Sequence, residues 1–306
     1  MTTVTTPRSS ELQWQYESPA IGGIVVGFDG SPASHAAIQT ASTIAAARKC
    51  AVHVVSVLQP MSSYKIDLGV DQPRSEVEDL RIQLREAAVR DAIGPQQERT
   101  SWTRQVAVGR AAQKIAEAAE RIKADLVIVG RTQRGVLDRM LGGETTLQVM
   151  RQSSSPVLVV GEEMKNPNTV VAAVDFGPAS VRAAVVGLQM LNGSGTLYLA
   201  HVDEPVEVFP DGLVLPEPDS VPSDLLKRLR ARASALNAPS GVVIEPVVLS
   251  GRPTRAIAEF CDRVGADLLV AGTHGLPRVA RFLLGSVSTG FVRNIHKPVV
   301  IVPAQD

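Results

Sequence analysis

Gly272 and Gly275, with Gly285 and Ser286 following after nine further residues, are the positions in this chain whose types and spacing suggest chemistry. A mostly apolar run, 267–271, leads into them, and a helix-like segment, 287–295, leads out. A strand, a glycine-bearing loop and a helix start form an arrangement whose backbone N–H groups and helix terminus can hold phosphate. Glycine at each end of the loop permits close backbone approach or a positive φ. Ser286 can cap the helix or donate its hydroxyl to a phosphate oxygen, and Val287 follows it into the first turn. The same spacing also suits an ordinary strand–helix connection whose glycines serve only turns.

Two more residues belong with this loop once the strands around it are read. In an open parallel sheet, ligands bind outside the carboxyl ends of the strands, where the strand order reverses. Asp175 stands at the end of one apolar run and Val202 at the end of the next. A carboxylate at that edge can accept hydrogen bonds from an adenine amino group or a ribose hydroxyl. It can equally serve only to favour a helix N-terminus. Val202 would supply backbone groups and an apolar wall, or simply core.

The chain contains this constellation twice. Residues 130–160 align without a gap to 272–302 with eight identities, among them Gly130 with Gly272, Gly143 with Gly285, Arg151 with Arg293 and Pro156 with Pro298. The same offset pairs Gly109 and Arg110 with Gly251 and Arg252, and residues 124–126 with 266–268. Upstream, 28–34 pairs with 174–180, so that Asp29 matches Asp175 and Ser34 matches Ser180. Solenoid repeats run to roughly 20–50 residues, so a period this long means two domains. The chain length of 306 residues also gives two at about 150 each.

Each copy alternates strand and helix. In the first, strands are expected at 24–28, 52–58, 103–108, 126–129 and 156–160, and helices at 31–49, 74–92, 111–122 and 145–151. The second follows the same order, from a strand at 170–174 to one at 299–302. Continuous Val, Ile and Leu strands between helices predict an α/β fold, two tandem open parallel-sheet domains of Rossmann-like type. The domains are expected over 21–161 and 168–306, joined by a polar seam and preceded by a flexible tail, 1–20. The stretch 203–223, rich in proline and acidic residues, reads as a long loop after the second strand of the second copy.

Composition narrows the partners. Basic and acidic residues balance at 31 each, and no basic stripe is present, which argues against nucleic-acid binding. No apolar run approaches the roughly 18 residues that suggest a membrane span. The tail carries no apolar signal core. Cys50 and Cys261 fall at unmatched places in the repeat and read as reduced, buried thiols, which suits a cytoplasmic protein.

The glycine spacing, the Asp-ended first strand and the downstream Lys297, Pro298 and apolar 299–302 together resemble the universal stress protein family, over essentially the whole chain after the tail. The resemblance implies a tandem member of the ATP-binding type, with a five-stranded sheet in each domain. It also implies intramolecular pairing of the two domains, with a possible homodimer. The cofactor so implied is ATP or another adenine nucleotide, with Mg2+. Asp175 and Val202 would meet adenine and ribose, and Gly272, Gly275, Gly285, Ser286 and Val287 would line ribose and phosphates. His274 and Arg252 lie near the expected mouth, the one reading as a loop residue and the other as a phosphate partner or a solvated helix-start arginine.

The first copy departs from that pattern. Gln133 stands where Gly275 does, and Glu144 where Ser286 does. A non-glycine residue forced to φ > 0 costs about 1 kcal/mol or more. Glu144 would occupy the anion site itself, with about 0.3–1 kcal/mol of favourable helix-terminus interaction, and repel a phosphate. One competent site is therefore expected, in the second domain, beside a degenerate one that retains Asp29, Gly130 and Gly143. No Walker A lysine motif and no kinase signature are present, so binding rather than catalysis is the leading reading. A slow ATP hydrolase using His274, Asp175 or the acidic loop, and an interaction module that binds no nucleotide, are the alternatives.

Overall fold

A computed structural model describes residues 22–60, 74–94, 96, 100–131, 145–204, 223–273 and 285–304. The tail, most of the acidic loop, Gln133, Gly143, Glu144, His274 and Gly275 lie outside the described residues. The chain divides into two compact units, with the break between Lys165 and Asn166.

In the amino-terminal domain, strands β1 (Gly23–Phe28), β2 (Ala51–Leu58), β3 (Trp102–Val108), β4 (Leu126–Gly130) and β5 (Val157–Val160) alternate with helices α1 (Pro32–Arg48), α2 (Arg74–Ile93), α3 (Ala111–Arg121) and α4 (Thr145–Gln152). The strands pair in parallel in the order β3-β2-β1-β4-β5. The carboxy-terminal domain repeats the plan. Strands β6 (Thr169–Ala173), β7 (Ser194–Asp203), β8 (Gly241–Ser250), β9 (Leu268–Gly272) and β10 (Val299–Val302) alternate with α5 (Pro178–Met190), α6 (Ser223–Ala235), α7 (Pro253–Arg263) and α8 (Ser286–Asn294). Their order is β8-β7-β6-β9-β10, again parallel throughout. The expected α/β class and the order of elements hold, with ends shifted by about a residue where ranges were read.

The burial pattern shows why these residues make this fold. All of β5 and β10 is buried, as is β1 after its first residue, whereas edge strand β8 begins by alternating exposed and half-buried positions. Apolar runs of β-branched residues suit strands covered on both faces. The covering helices supply apolar stripes at helical spacing, such as Ala112, Ile115, Ala116 and Ala119 on α3.

Two pieces of the internal repeat prove to be scaffold. Asp125 Oδ2 accepts from the amides of Gly22 and Gly23 at 2.6 and 3.0 Å, and Asp267 Oδ2 accepts from Asn168 and Thr169 at 2.9 and 3.0 Å. Each carboxylate thus satisfies two donors where its domain's first strand begins. Gly109 and Gly251 adopt φ of 144° and 119°, which reserves them for glycine. Their neighbours Arg110 and Arg252 occupy the N-caps of α3 and α7 without a side-chain capping bond.

Both cysteines are free and buried. Burial raises both thiols, Cys261 to about 12 despite the lowering charge of Lys297, so neither is a thiolate at neutral pH. Among the described residues no helix is long and apolar enough to cross a membrane.

Candidate functional site

The order reversal of the carboxy-terminal sheet falls between β6 and β9, and a cavity opens there at the carboxyl ends of the strands. Val174 and Asp175 at the end of β6, His201 and Val202 at the end of β7, and Ala271 and Gly272 at the end of β9 line it. Pro253 and Ile257 of α7 and Val287, Ser288 and Phe291 of α8 close its helical side. Its volume is about 160 Å³. Cavities of that order have room for one benzene-sized ring.

The expected site residues divide three ways. Asp175, Val202, Gly272 and Val287 come together on the cavity wall. Gly285 and Ser286 sit at the start of α8, next to that wall, and Gly275 lies outside the described residues.

Asp175 is held by a local turn. Its Oδ1 accepts from the Gly177 amide at 2.8 Å, and its own amide donates to Ser180 Oγ at 3.2 Å. Ser180 Oγ donates onward to the Gly177 carbonyl at 3.0 Å. Oδ2 has no partner among the described residues.

Of the two reasons expected for glycine at position 272, close backbone approach is the one found. A Cβ there would stand 2.5 Å from the carbonyl carbon of Ala179 and 2.7 Å from the Ser180 amide nitrogen. The close approach is thus between β9 and the start of α5, protein against protein. Ser288 Oγ donates to the Gly272 carbonyl at 2.9 Å and ties α8 to the same point. Gly285 has φ −59°, ψ 152°, a conformation any residue adopts, so a positive φ does not explain it. The capping role considered for Ser286 is not the one found. Gly285 is the N-cap, it supplies no side-chain bond, and Ser286 is the first helical residue. The amides of the first turn of α8 therefore have neither an intrahelical nor a capping acceptor among the described residues.

Sequence reading missed several wall residues. Ser180 carried a signal, since it pairs with Ser34 in the repeat. Ile257 and Phe291 look like ordinary core positions. His201 is adjacent to Val202 but gave no motif; its Nδ1 lies 2.7 Å from the Val174 carbonyl oxygen, and its ring packs 4.8 Å from Phe176.

In the amino-terminal domain Asp29 makes the matching turn, accepting from the Ser31 amide at 2.9 Å. Burial pushes its carboxyl up, but the hydroxyl and amide of Ser31 and the hydroxyl of Ser34 prevail and hold it below the usual range. Gly130 packs against Ala33 and Ser34 as Gly272 does against Ala179 and Ser180. Arg85 of α2 donates to the Asp29 carbonyl at 2.6 Å.

Comparison with known proteins agrees with this architecture. Relatives 28% identical over 297 residues are universal stress proteins of Mycobacterium tuberculosis and Mycobacterium bovis, the match covering 91% of this chain and 96% of each relative. The crystal structure of a universal stress protein from Archaeoglobus fulgidus shares the fold, with a TM-score of 0.69 at 18% identity, over 93% of this chain and 97% of that one. The sequence model of the universal stress protein family matches residues 22–161 and again 167–303. The chain belongs to the universal stress protein family, as a tandem two-domain member.

Proposed function

We propose that the protein binds one adenine nucleotide, ATP in the first instance, in its carboxy-terminal domain and acts as a stress-response regulator rather than a catalyst. The observation that carries this reading is the ring-sized cavity at the β6/β9 reversal, which meets at one edge the start of α8, whose first-turn amides have no acceptor among the described residues. Asp175 Oδ2 and the carboxyl end of β7 at Val202 would receive the base and ribose. Gly272, Gly275, Gly285, Ser286 and Val287 would follow the ribose and phosphates, whose negative charge the helix terminus favours. Among the described residues no three His, Cys, Asp or Glu side chains converge as metal ligands. Mg2+, when bound, would supply charge neutralisation held mainly by the nucleotide's phosphates and water. A bound nucleotide regulates by favouring one conformational or assembly state, which requires unequal affinity for the two.

The test is the molar ratio of nucleotide released on denaturing freshly purified protein, followed by ATP titration of the stripped protein by calorimetry. One site per chain is expected, abolished by Gly275→Gln combined with Ser286→Glu. Two sites per chain, or none, would refute the reading.

A further inference from the structure

Phe176, next to Asp175, adopts φ +62°. Its counterpart in the amino-terminal domain is Gly30, at φ +89°. The turn requires the left-handed region in both domains, and glycine enters that region freely whereas a bulky aromatic residue does so under strain. Strain retained at one of two equivalent positions points to something the ring does there.

The ring is engaged on two sides. It lies 4.8 Å from the His201 ring at an interplanar angle of 51°, and the guanidinium carbon of Arg228 on α6 stands 4.2 Å from its centroid. Both distances fall in the range of favourable ring and cation–π contacts. His201 is a wall of the cavity and Phe176 is not, so Phe176 meets the ligand space only through His201. The imidazole is fixed at its other end as well. Its Nδ1 lies 2.7 Å from the Val174 carbonyl, which can only accept, so Nδ1 carries the proton and Nε2 of the neutral ring is an acceptor. Nε2 has no partner among the described residues.

The amino-terminal domain lacks the whole device. Strand pairing places Val55 opposite Gly27 and Ala200 opposite Ala173, which makes Ser56 the counterpart of His201. Ser56 Oγ donates to the Phe28 carbonyl at 2.7 Å, repeating the His201 bond to Val174 without an imidazole to orient. With no ring to support, the turn keeps its glycine.

We propose that Phe176 is a positioning residue of the ligand site: clamped under Arg228, it braces His201 so that Nε2 is presented as a fixed acceptor to the 6-amino group of a purine in the adjoining cavity. The inference rests on the adenine-nucleotide reading above. It makes His201 a second acceptor beside Asp175 Oδ2, a pairing that suits the exocyclic amine of adenine and disfavours the carbonyl of a 6-oxopurine.

Calorimetric titration of the full chain with ATP and with GTP, together with thermal melts of the ligand-free protein, tests this. Wild type is expected to bind ATP in preference to GTP. Phe176→Gly should lose about tenfold in ATP affinity and narrow that preference, while its thermal midpoint does not fall, because relief of strain offsets the lost ring contacts. Phe176→Tyr, which keeps the ring, should retain wild-type affinity. In a His201→Ala background Phe176→Gly should cause no further loss, since it acts through that residue. Unchanged ATP affinity in Phe176→Gly, a loss additive with His201→Ala, or a fall in affinity accompanied by a drop of several degrees in midpoint would each overturn the proposal. Failure of the nucleotide reading itself is distinguishable, because wild type would then bind neither nucleotide.

Discussion

Asp29 and Asp175 do the same work in their two domains: each accepts the amide two residues ahead and sets the turn from first strand to first helix. The side chains around those turns differ in a consistent direction along the strands. Where the carboxy-terminal cavity has Val174, Ala200 and Ala271, the matching positions of the amino-terminal domain hold Phe28, Val55 and Val129, all buried. Phe28 packs edge-on against His35, with ring centroids 5.1 Å apart. Arg85 is tied to the Asp29 carbonyl, whereas Arg228 stacks on a ring. On α8 the exchange reverses, since Phe291 corresponds to Val149. The shared residues set the same turn and the same glycine packing in both domains, and Val174, Ala200 and Ala271 at the strand ends are smaller along the carboxy-terminal cavity than the residues at the matching amino-terminal positions.

The largest effect should come from breaking the shared part. Gly272→Ala would place a Cβ within 2.7 Å of three α5 backbone atoms, and Gly130→Ala would press on Ala33 and Ser34 of α1 in the same way. Backbone cannot yield as a flexible side chain does, so each substitution should destabilise its domain by about 2–3 kcal/mol, at the upper end of overpacking costs. Urea unfolding followed by hydrogen exchange, resolved by domain, measures this. Equal losses in the two domains support a purely architectural glycine. A negligible loss for Gly272→Ala in the ligand-free protein, together with lost ATP binding, would return Gly272 to the role of a ligand contact.

A smaller effect should follow from giving the second domain the first domain's side chains. Val174→Phe with Ala200→Val adds volume directly to the cavity wall. ATP affinity should fall at least about tenfold, which is about 1.4 kcal/mol. Far-ultraviolet circular dichroism should show the fold retained. Undiminished affinity would mean that the cavity is not where the base enters.

These contrasts also mark how far the sequence could be read. The α/β alternation was legible because strand and helix periods are local properties, and the repeat checked each element against its twin. Asp175, Val202 and Gly272 could be placed together because strand ends in a parallel sheet converge by topology, and Val287 joined them through the family resemblance. The physical role of Gly272 was not legible, since a glycine reserved for helix packing and one reserved for a phosphate have the same letter. His201 and Phe176 escaped for a related reason. Their significance lies in a dihedral angle and a ring contact, and neither follows from spacing. The Asp125 and Asp267 pair appeared in the repeat, but its use as a clamp on strand-start amides required the register.

The smallest effect concerns a polar cluster on the side of β2, far in sequence from the turn, that again separates the copies. Strand pairing makes His53 the counterpart of Tyr198, whose ring meets Phe260 edge-on at 5.3 Å. His53 Nε2 lies 3.2 Å from Arg121 Nη2, and its Nδ1 lies 2.8 Å from Thr103 Oγ1. An arginine only donates, so Nε2 is the acceptor and Nδ1 carries the proton toward Thr103. Burial lowers the affinity of His53 for a second proton; the Gln105 carbonyl opposes this and the Arg121 charge adds to it, leaving the net direction downward. The unfolded chain therefore takes up the proton first as pH falls, near the ordinary histidine value of about 6.5. The stabilising contribution is present in full above that value and is lost as pH falls through the lower folded value. Thermal midpoints at pH 7.5 and 5.0 should thus show a decline that His53→Gln reduces. Domain-resolved hydrogen exchange should place that His53-dependent part in the amino-terminal unit. An unchanged pH slope in His53→Gln would remove His53 as the origin, and with it this difference between the two domains.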